Sequence, residues 1–263
     1  MSPLPPPAPP PQRRDLIAGL EKGLAVIEAF DQRQSRLTIG EVAARCGLTR
    51  AAARRYLITL THLGYVAGDG KTFALTAKVL RLSQSYMRSA QLPRIVQPEL
   101  NRLASSLKEA SSAGVLDGND VICIAATSAG RIVSATLQPG TRVPAYCTAN
   151  GRVLVGALPK DEADAWVARQ SLAALTPLTP HTVTRPEQLR AEINRSRKQG
   201  YALVDQELEL GLRTLAVPLH NASGAVVAAI NVSVHAASVS AERLIEVCLP
   251  ALQQTQASLR SLL

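Results

Sequence analysis

Arg50, Arg54 and Arg55 follow Thr49 on a stretch whose other side reads Ala53, Tyr56, Leu57, Leu60 and Leu63. Apolar residues at three- and four-residue intervals bury one side of a helix, so these guanidinium groups emerge together from the opposite side. Guanidinium forks bond guanine edges and phosphates bidentately, and a helix with a buried back and a basic front suits the major groove of DNA. Small Ala51 sits among the arginines at the N-terminal end of this front. The preceding residues supply the supporting helix. Thr38 and Glu41 form a T-x-x-E capping box, Val42, Ala43 and Cys46 give a narrow apolar face, and Gly47 suits the left-handed helix end. Leu48 packs inward and Thr49 caps the second helix, which completes a helix-turn-helix. Thr38, Thr49, Arg50, Ala51, Arg54 and Arg55 are therefore the candidate DNA contacts. The competing reading is an ordinary antiparallel helix pair with a solvated basic face. The capped first helix, the short turn and the N-terminal placement of the arginines favour DNA.

A second set of chemistry-bearing residues lies far downstream, in three segments. Thr148-Ala149-Asn150-Gly151-Arg152 precedes the apolar run Val153–Leu158, so its amides sit at a helix N-terminus, where the dipole suits a carboxylate. Arg142 and Tyr146 stand just upstream. Arg142 has the fork to clamp a carboxylate, and equally to form a surface ion pair. Asp205, Glu207 and Arg213 interrupt two strand-like runs before Thr214; a capped turn with a structural Asp–Arg pair is the alternative there. In Asn231-Val232-Ser233-Val234-His235, period two puts Asn231, Ser233 and His235 on one face, with Ile230, Val232 and Val234 on the core side. Convergent polar groups in an apolar shell are what a small anion requires. Catalysis has no comparable support. The sequence holds no H-E-x-x-H, G-x-S-x-G or P-loop, and His62, His181, His220 and His235 lack metal-ligand spacing. Neither a metal nor a cofactor is expected.

The elements that must position these groups need two domains, and 263 residues with 46% apolar content provide for them. Aromatics at 3% argue against stacking on single-stranded bases. The net charge of +9 is uneven: residues 1–92 carry 13 Lys and Arg against 6 Asp and Glu, and residues 93–263 carry 16 against 14. Positive charge gathers where the helix pair is, as a polyanion-binding module requires. Cys46, Cys123, Cys147 and Cys248 are far apart without a C-x-x-C pair, as in a reduced compartment, and no apolar run spans a membrane. A cytoplasmic protein is expected.

Along the chain, residues 1–14 read as a disordered proline-rich tail. Asp15–Phe30 is an amphipathic helix, with Leu16, Leu20, Leu24, Ile27 and Phe30 expected to pack on the helix pair. Tyr65-Val66 and Thr72–Leu75 flank a Gly68-Asp69-Gly70-Lys71 turn, a wing whose Lys71 is placed to touch phosphate. Residues 15–76 thus form a winged helix-turn-helix domain. A linker helix, residues 77–92, follows, with Val79, Leu82 and Tyr86 inward, and Pro93 marks the boundary. In residues 93–263, a helix over Ile95–Glu109 leads to strands at Ser111–Leu116, Val121–Thr127 and Ile132–Leu137. Helices come next at Gly151–Leu158, Asp161–Gln170 and Pro186–Gln199. Strands return at Tyr201–Val204, Thr214–Pro218 and Val226–Val234, and Ser240–Leu263 closes as a helix. The class is α+β, one antiparallel sheet flanked by helices.

This layout resembles the isocitrate lyase regulator (IclR) family of bacterial transcription factors. The likeness is carried by GLEKGLAVIEAF at 19–30, LTIGEVAARCGLTRAAARRYLITLTHLGYV at 37–66, LDG at 116–118 and GTRVPAYCTANGRVL at 140–154. QGYALVDQELELGLRTLAVPL at 199–219 and AAINVSVHA at 228–236 extend it. The subgroup that controls aromatic-acid catabolism through the β-ketoadipate route is the most similar. The resemblance implies a GAF-like C-terminal effector-binding and oligomerisation domain. It implies a homodimer or homotetramer on a palindromic double-stranded promoter site, working with RNA polymerase if it is an activator. It also implies an effector such as protocatechuate, 4-hydroxybenzoate, terephthalate or β-ketoadipate, with Arg142, Tyr146, Ala149, Asn150, Gly151, Asp205, Glu207, Thr214, Asn231, Ser233 and His235 as candidate contacts. The rival, a small-molecule-binding enzyme or sensor with an oligomerising helical N-terminus, predicts that removing residues 1–92 leaves function intact.

Overall fold

The computed structural model describes residues 12–31, 34–127, 137–172 and 175–263. The chain divides into two compact units between Arg88 and Ser89. In the first, helix α1 (Ala18–Glu28) is followed by the short strand β1 (Leu37–Thr38), α2 (Ile39–Arg45) and α3 (Arg50–His62). The hairpin β2 (Val66–Gly68) and β3 (Thr72–Leu75) completes an antiparallel sheet of order β1-β3-β2. Val26, Leu37, Val42, Leu57 and Phe73 form the core of this unit. The capping box at Thr38 is present in both directions, and Gly47 adopts φ +62°. Strand β1 has only two residues, too few for any alternation to announce it.

Helix α1 starts later than Asp15, and its apolar side is not covered as its periodicity suggested. Val26 is buried and Ile27 and Phe30 pack against the core, whereas Leu16, Ile17, Leu20 and Leu24 are exposed. The linker region behaves alike. A 3-10 turn, Ala77–Val79, in which Val79 is half-buried, leads into α4 (Leu80–Ser89), on which Leu82 and Tyr86 are exposed rather than inward. Periodicity identifies residues sharing a face; it does not supply the surface that covers them.

In the second unit, α5 (Gln91–Leu107) begins ahead of Pro93, which is buried in its first turn. Proline is tolerated there because that backbone N has no intrahelical acceptor to lose, so Pro93 sits inside the helix and not at a boundary. Strands β4 (Ala110–Asp117), β5 (Asp120–Thr127) and β6 (Arg142–Pro144) precede helices α6 (Ala149–Ala157), α7 (Lys160–Leu172) and α8 (Pro186–Gln199). Strands β7 (Ala202–Asp205), β8 (Leu212–His220) and β9 (Val226–His235) follow, and α9 (Ala241–Arg260) ends the fold. The sheet is antiparallel throughout, in the order β6-β5-β4-β9-β8-β7. The expected strand at Ile132–Leu137 lies, except for Leu137, outside the described residues.

Each face of this sheet has its own core. Ile230, Val232, Leu215 and Val217 meet Leu100, Leu244 and Leu252 of α5 and α9. The opposite face carries small residues, Ala202, Ala216 and Ala229, beneath α6 to α8, with Trp166 and Leu189 filling the space above. Burying each of the large side chains contributes about 1.5–3 kcal/mol. The Trp166 indole donates to the Gly118 carbonyl at 2.8 Å, so this ring is buried without an orphaned donor. Gly151 lets α6 settle close to the preceding turn, since a Cβ there would lie 2.1 Å from the Ala145 carbonyl oxygen.

Candidate functional site

Helix α3 is capped by Thr49, whose hydroxyl accepts from the Ala52 amide at 3.2 Å. Ala53, Leu57 and Leu60 are buried beneath it, which leaves Arg50, Ala51, Arg54 and Arg55 exposed. Thr38, Gly40, Arg50, Ala51, Arg54 and Lys71 share one open groove on this unit, and Arg55 lies on the same helix outside it. Gly40 lies beside the Arg50 guanidinium in this groove. Among the described residues, Arg50, Arg54, Arg55 and Lys71 belong to no ion pair. Arg36 and Arg45 are engaged, with Asp69 at 3.5 Å and Asp31 at 2.9 Å respectively. Asp69 also shapes the wing by accepting from the amides of Lys71 (2.9 Å) and Thr72 (2.7 Å). Those backbone bonds hold its carboxyl below the usual range. Thr38 is committed to its cap, since its hydroxyl accepts from the Glu41 amide and donates to the Glu41 carboxylate at 2.8 Å. The surface is thus basic and unneutralised, shaped by two capped helix starts and a hairpin.

In the second unit, a cavity of about 80 Å³ lies between the sheet and the N-terminus of α6. A single water needs roughly 10–15 Å³ on this measure, so the space suits a larger guest. Its polar floor comes from neighbouring strands. Ser112 on β4 pairs in register with Asn231 on β9, and Ser233 on β9 with Thr214 on β8. The Ser112 hydroxyl donates to Asn231 Oδ1 at 2.5 Å, and Asn231 Nδ2 donates to Ser233 Oγ at 3.1 Å. Asn150 Nδ2, from the first turn of α6, also approaches Asn231 Oδ1 at 3.4 Å. Val121, Val143, Val204, Leu208 and Leu212 form apolar walls, and no charged side chain among the described residues lines the space.

Ala149, Asn150, Thr214, Asn231 and Ser233 line this cavity, and the other sequence candidates do not. Arg142 is exposed on β6 and binds Asp117 (2.6 Å) and Asp120 (3.1 Å) at the β4–β5 turn, the surface ion pair that its sequence equally allowed. Those carboxylates push its pKa up. Tyr146 is buried and donates to the Thr176 carbonyl at 2.7 Å. Gly151 serves the close approach already described, and its amide is satisfied by the Thr148 hydroxyl. Asp205 pairs with Arg213 at 2.8 Å, which holds its carboxyl below the usual range. His235 is exposed at the end of β9, where its Nδ1 accepts from the Ala237 amide.

Glu207 supports the site from behind. Its carboxylate binds buried Arg152 at 2.7 Å and accepts from the Val183 amide at 3.1 Å, which ties α6 to the loop bearing Leu208. Sequence reasoning missed Ser112, Cys123 and Cys147 as lining residues. A polar Ser112 in the apolar run from Ala110 to Leu116 was the available signal; the cysteines gave none. Burial pushes the thiols of Cys123 to about 11 and Cys147 to about 12, so both stay neutral. Among the described residues no three His, Cys, Asp or Glu side chains are grouped to hold a metal ion.

Comparison with known proteins assigns both units to one family. Residues 19–70 match the IclR helix-turn-helix domain, and residues 84–260 match the bacterial transcriptional regulator IclR C-terminal domain. The Pca regulon regulatory protein of Pseudomonas putida is 43% identical, over 90% of this chain and 81% of that protein. The p-hydroxybenzoate hydroxylase transcriptional activator of Acinetobacter baylyi is 39% identical, over 94% and 92%. Among solved structures, the inducer-binding domain of an Acinetobacter PobR double mutant, in complex with 3-hydroxybenzoic acid, superposes with a TM-score of 0.61. It is 32% identical and covers 66% of this chain and all of that one.

Proposed function

The chain belongs to the IclR family of bacterial transcriptional regulators, and from that premise we propose that its cavity senses a small aromatic acid. It is a regulator and not an enzyme, similar to proteins that govern the pca regulon and p-hydroxybenzoate hydroxylase. The observation carrying the proposal is the uncharged polar cavity at the α6 N-terminus. Amides in the first turn of a helix have no intrahelical acceptor, and the helix dipole favours an anion there. The hydroxyls of Thr214 and Ser233 add donors beside an apolar enclosure that fits a ring. Calorimetric titration of the full chain with benzoate, 4-hydroxybenzoate, protocatechuate and terephthalate tests this; β-ketoadipate is the non-aromatic control. Saturable binding of an aromatic acid, lost in the double variant Thr214→Ala, Ser233→Ala, is the expected result, and binding of β-ketoadipate alone would refute it.

In the first unit, Arg50, Arg54 and Arg55 supply the groove and phosphate contacts to a palindromic promoter site, with Thr49 and Ala51 at the helix start. Lys71 faces the phosphates from the wing, and Thr38, its hydroxyl held by the Glu41 cap, borders the same groove. Two half-sites call for two copies of the chain. The exposed apolar residues of α1 and α4 support self-association into a homodimer or homotetramer. RNA polymerase is the further partner if the chain is an activator.

A further inference from the structure

Every feature assigned so far offers the effector either apolar surface or hydrogen-bond donors. Asn150 Oδ1 is different. Asn150 is 7% exposed and lines the cavity, and its side-chain oxygen has no hydrogen-bond partner among the described residues. The other end of the amide is taken up by the network beside it. Asn231 Oδ1 can only accept, and it receives Ser112 Oγ and Asn150 Nδ2. Asn231 Nδ2 donates to Ser233 Oγ. The Asn150 amide therefore presents N–H to Asn231 and keeps its oxygen unused.

An unpaired buried carbonyl oxygen loses its water without replacement. A serine or threonine hydroxyl in the same position could turn and donate; a carboxamide oxygen has no such freedom. It repels a carboxylate and gains nothing from an unsubstituted ring edge. We propose that Asn150 Oδ1 accepts a hydrogen bond from a ring hydroxyl of the effector. Asn150 then sets the preference for hydroxylated aromatic acids over the bare acid. This rests on the effector reading above and adds a specificity-determining residue to it. A site built to pair with a hydroxyl penalises the analogue without one, because the acceptor is then left buried and unpaired.

The test is the ratio of affinities of the full chain for 3- and 4-hydroxybenzoate relative to benzoate, by calorimetry. The wild-type chain should favour at least one hydroxy acid by about tenfold, the scale of one neutral hydrogen bond. In Asn150→Leu, which keeps the shape without the acceptor, and in Asn150→Ala, the ratio should fall to about one. A ratio unchanged in a folded variant overturns the assignment. The wild-type measurement needs no variant: benzoate bound as tightly as both hydroxy acids overturns the role of Asn150 while the effector reading stands. Binding of none of the three, nor of protocatechuate or terephthalate, overturns both.

Discussion

The arginines of α3 and four arginines of the second unit are treated in opposite ways. On α3, Arg50, Arg54 and Arg55 project from a helix whose acidic neighbours are spent on other arginines and on caps. In the second unit, Arg142, Arg152, Arg190 and Arg213 each meet a carboxylate within 3.2 Å. Charge left unpaired suits a polyanion, whose many phosphates displace a counterion atmosphere and reward an exposed basic surface. A single small carboxylate offers no such reward. It is better received by preorganised neutral dipoles, which need no counter-charge when the site is empty. The presence of arginine is thus a weak guide to an anion site; its unpaired state is the informative property.

Several measurements bear on that contrast. The largest effect is expected for Glu207→Ala, which leaves Arg152 buried without its partner. Urea unfolding should report a loss of about 3–5 kcal/mol, and a neutral result would mean that the pair is not a buried support. Next comes the DNA face. An Arg50→Ala or Arg54→Ala variant should lose about 1–3 kcal/mol on a matched promoter and relax its sequence choice if the side chain reads a base. If it meets phosphate, all sites should weaken alike and the salt slope should fall by about 1. Gel-shift titrations over a salt series separate these outcomes, and unchanged binding in both variants would break the comparison on its basic side. Thr49→Ala removes the cap of α3 and should cost about 1 kcal/mol of stability. Arg142→Ala is the smallest: an exposed pair contributes at most about 1 kcal/mol, and effector affinity should not move. A large loss of effector affinity there would restore a cationic clamp to the sensing site.

Acid pH probes the paired side. Arg213 lowers the Asp205 pKa in the folded state, so the stabilisation is present above the unfolded carboxylate value of about 3.9. It should fade as pH falls through the lower folded value, and Asp205→Asn should flatten that part of the stability profile.

Local chemistry made the helix-turn-helix readable, because caps and turns lie within a few residues of what they govern. Thr38 with Glu41, Gly47, and Thr49 with Ala52 all behave as their spacing implies. Long strands such as Val226–His235 were equally plain from their composition, and period two placed Asn231 and Ser233 on the cavity side. What sequence could not convey was long-range pairing. Whether Arg142 clamps a ligand or Asp117 depends on a partner 25 positions away, and Glu207 reaches Arg152 across 55. The same holds for α1, where periodicity named an apolar face that this chain leaves uncovered.

The Ser112–Asn231 hydrogen bond joins residues 119 positions apart, through strands β4 and β9 that lie side by side in the middle of the sheet. A chain emerging from the ribosome has its complete helix-turn-helix long before it has β9. Domains fold as units during synthesis, and the first can close while the second is still lengthening. For that interval the nascent protein carries a reader of DNA without a receptor for its signal, and only translation of the last strands places it under effector control.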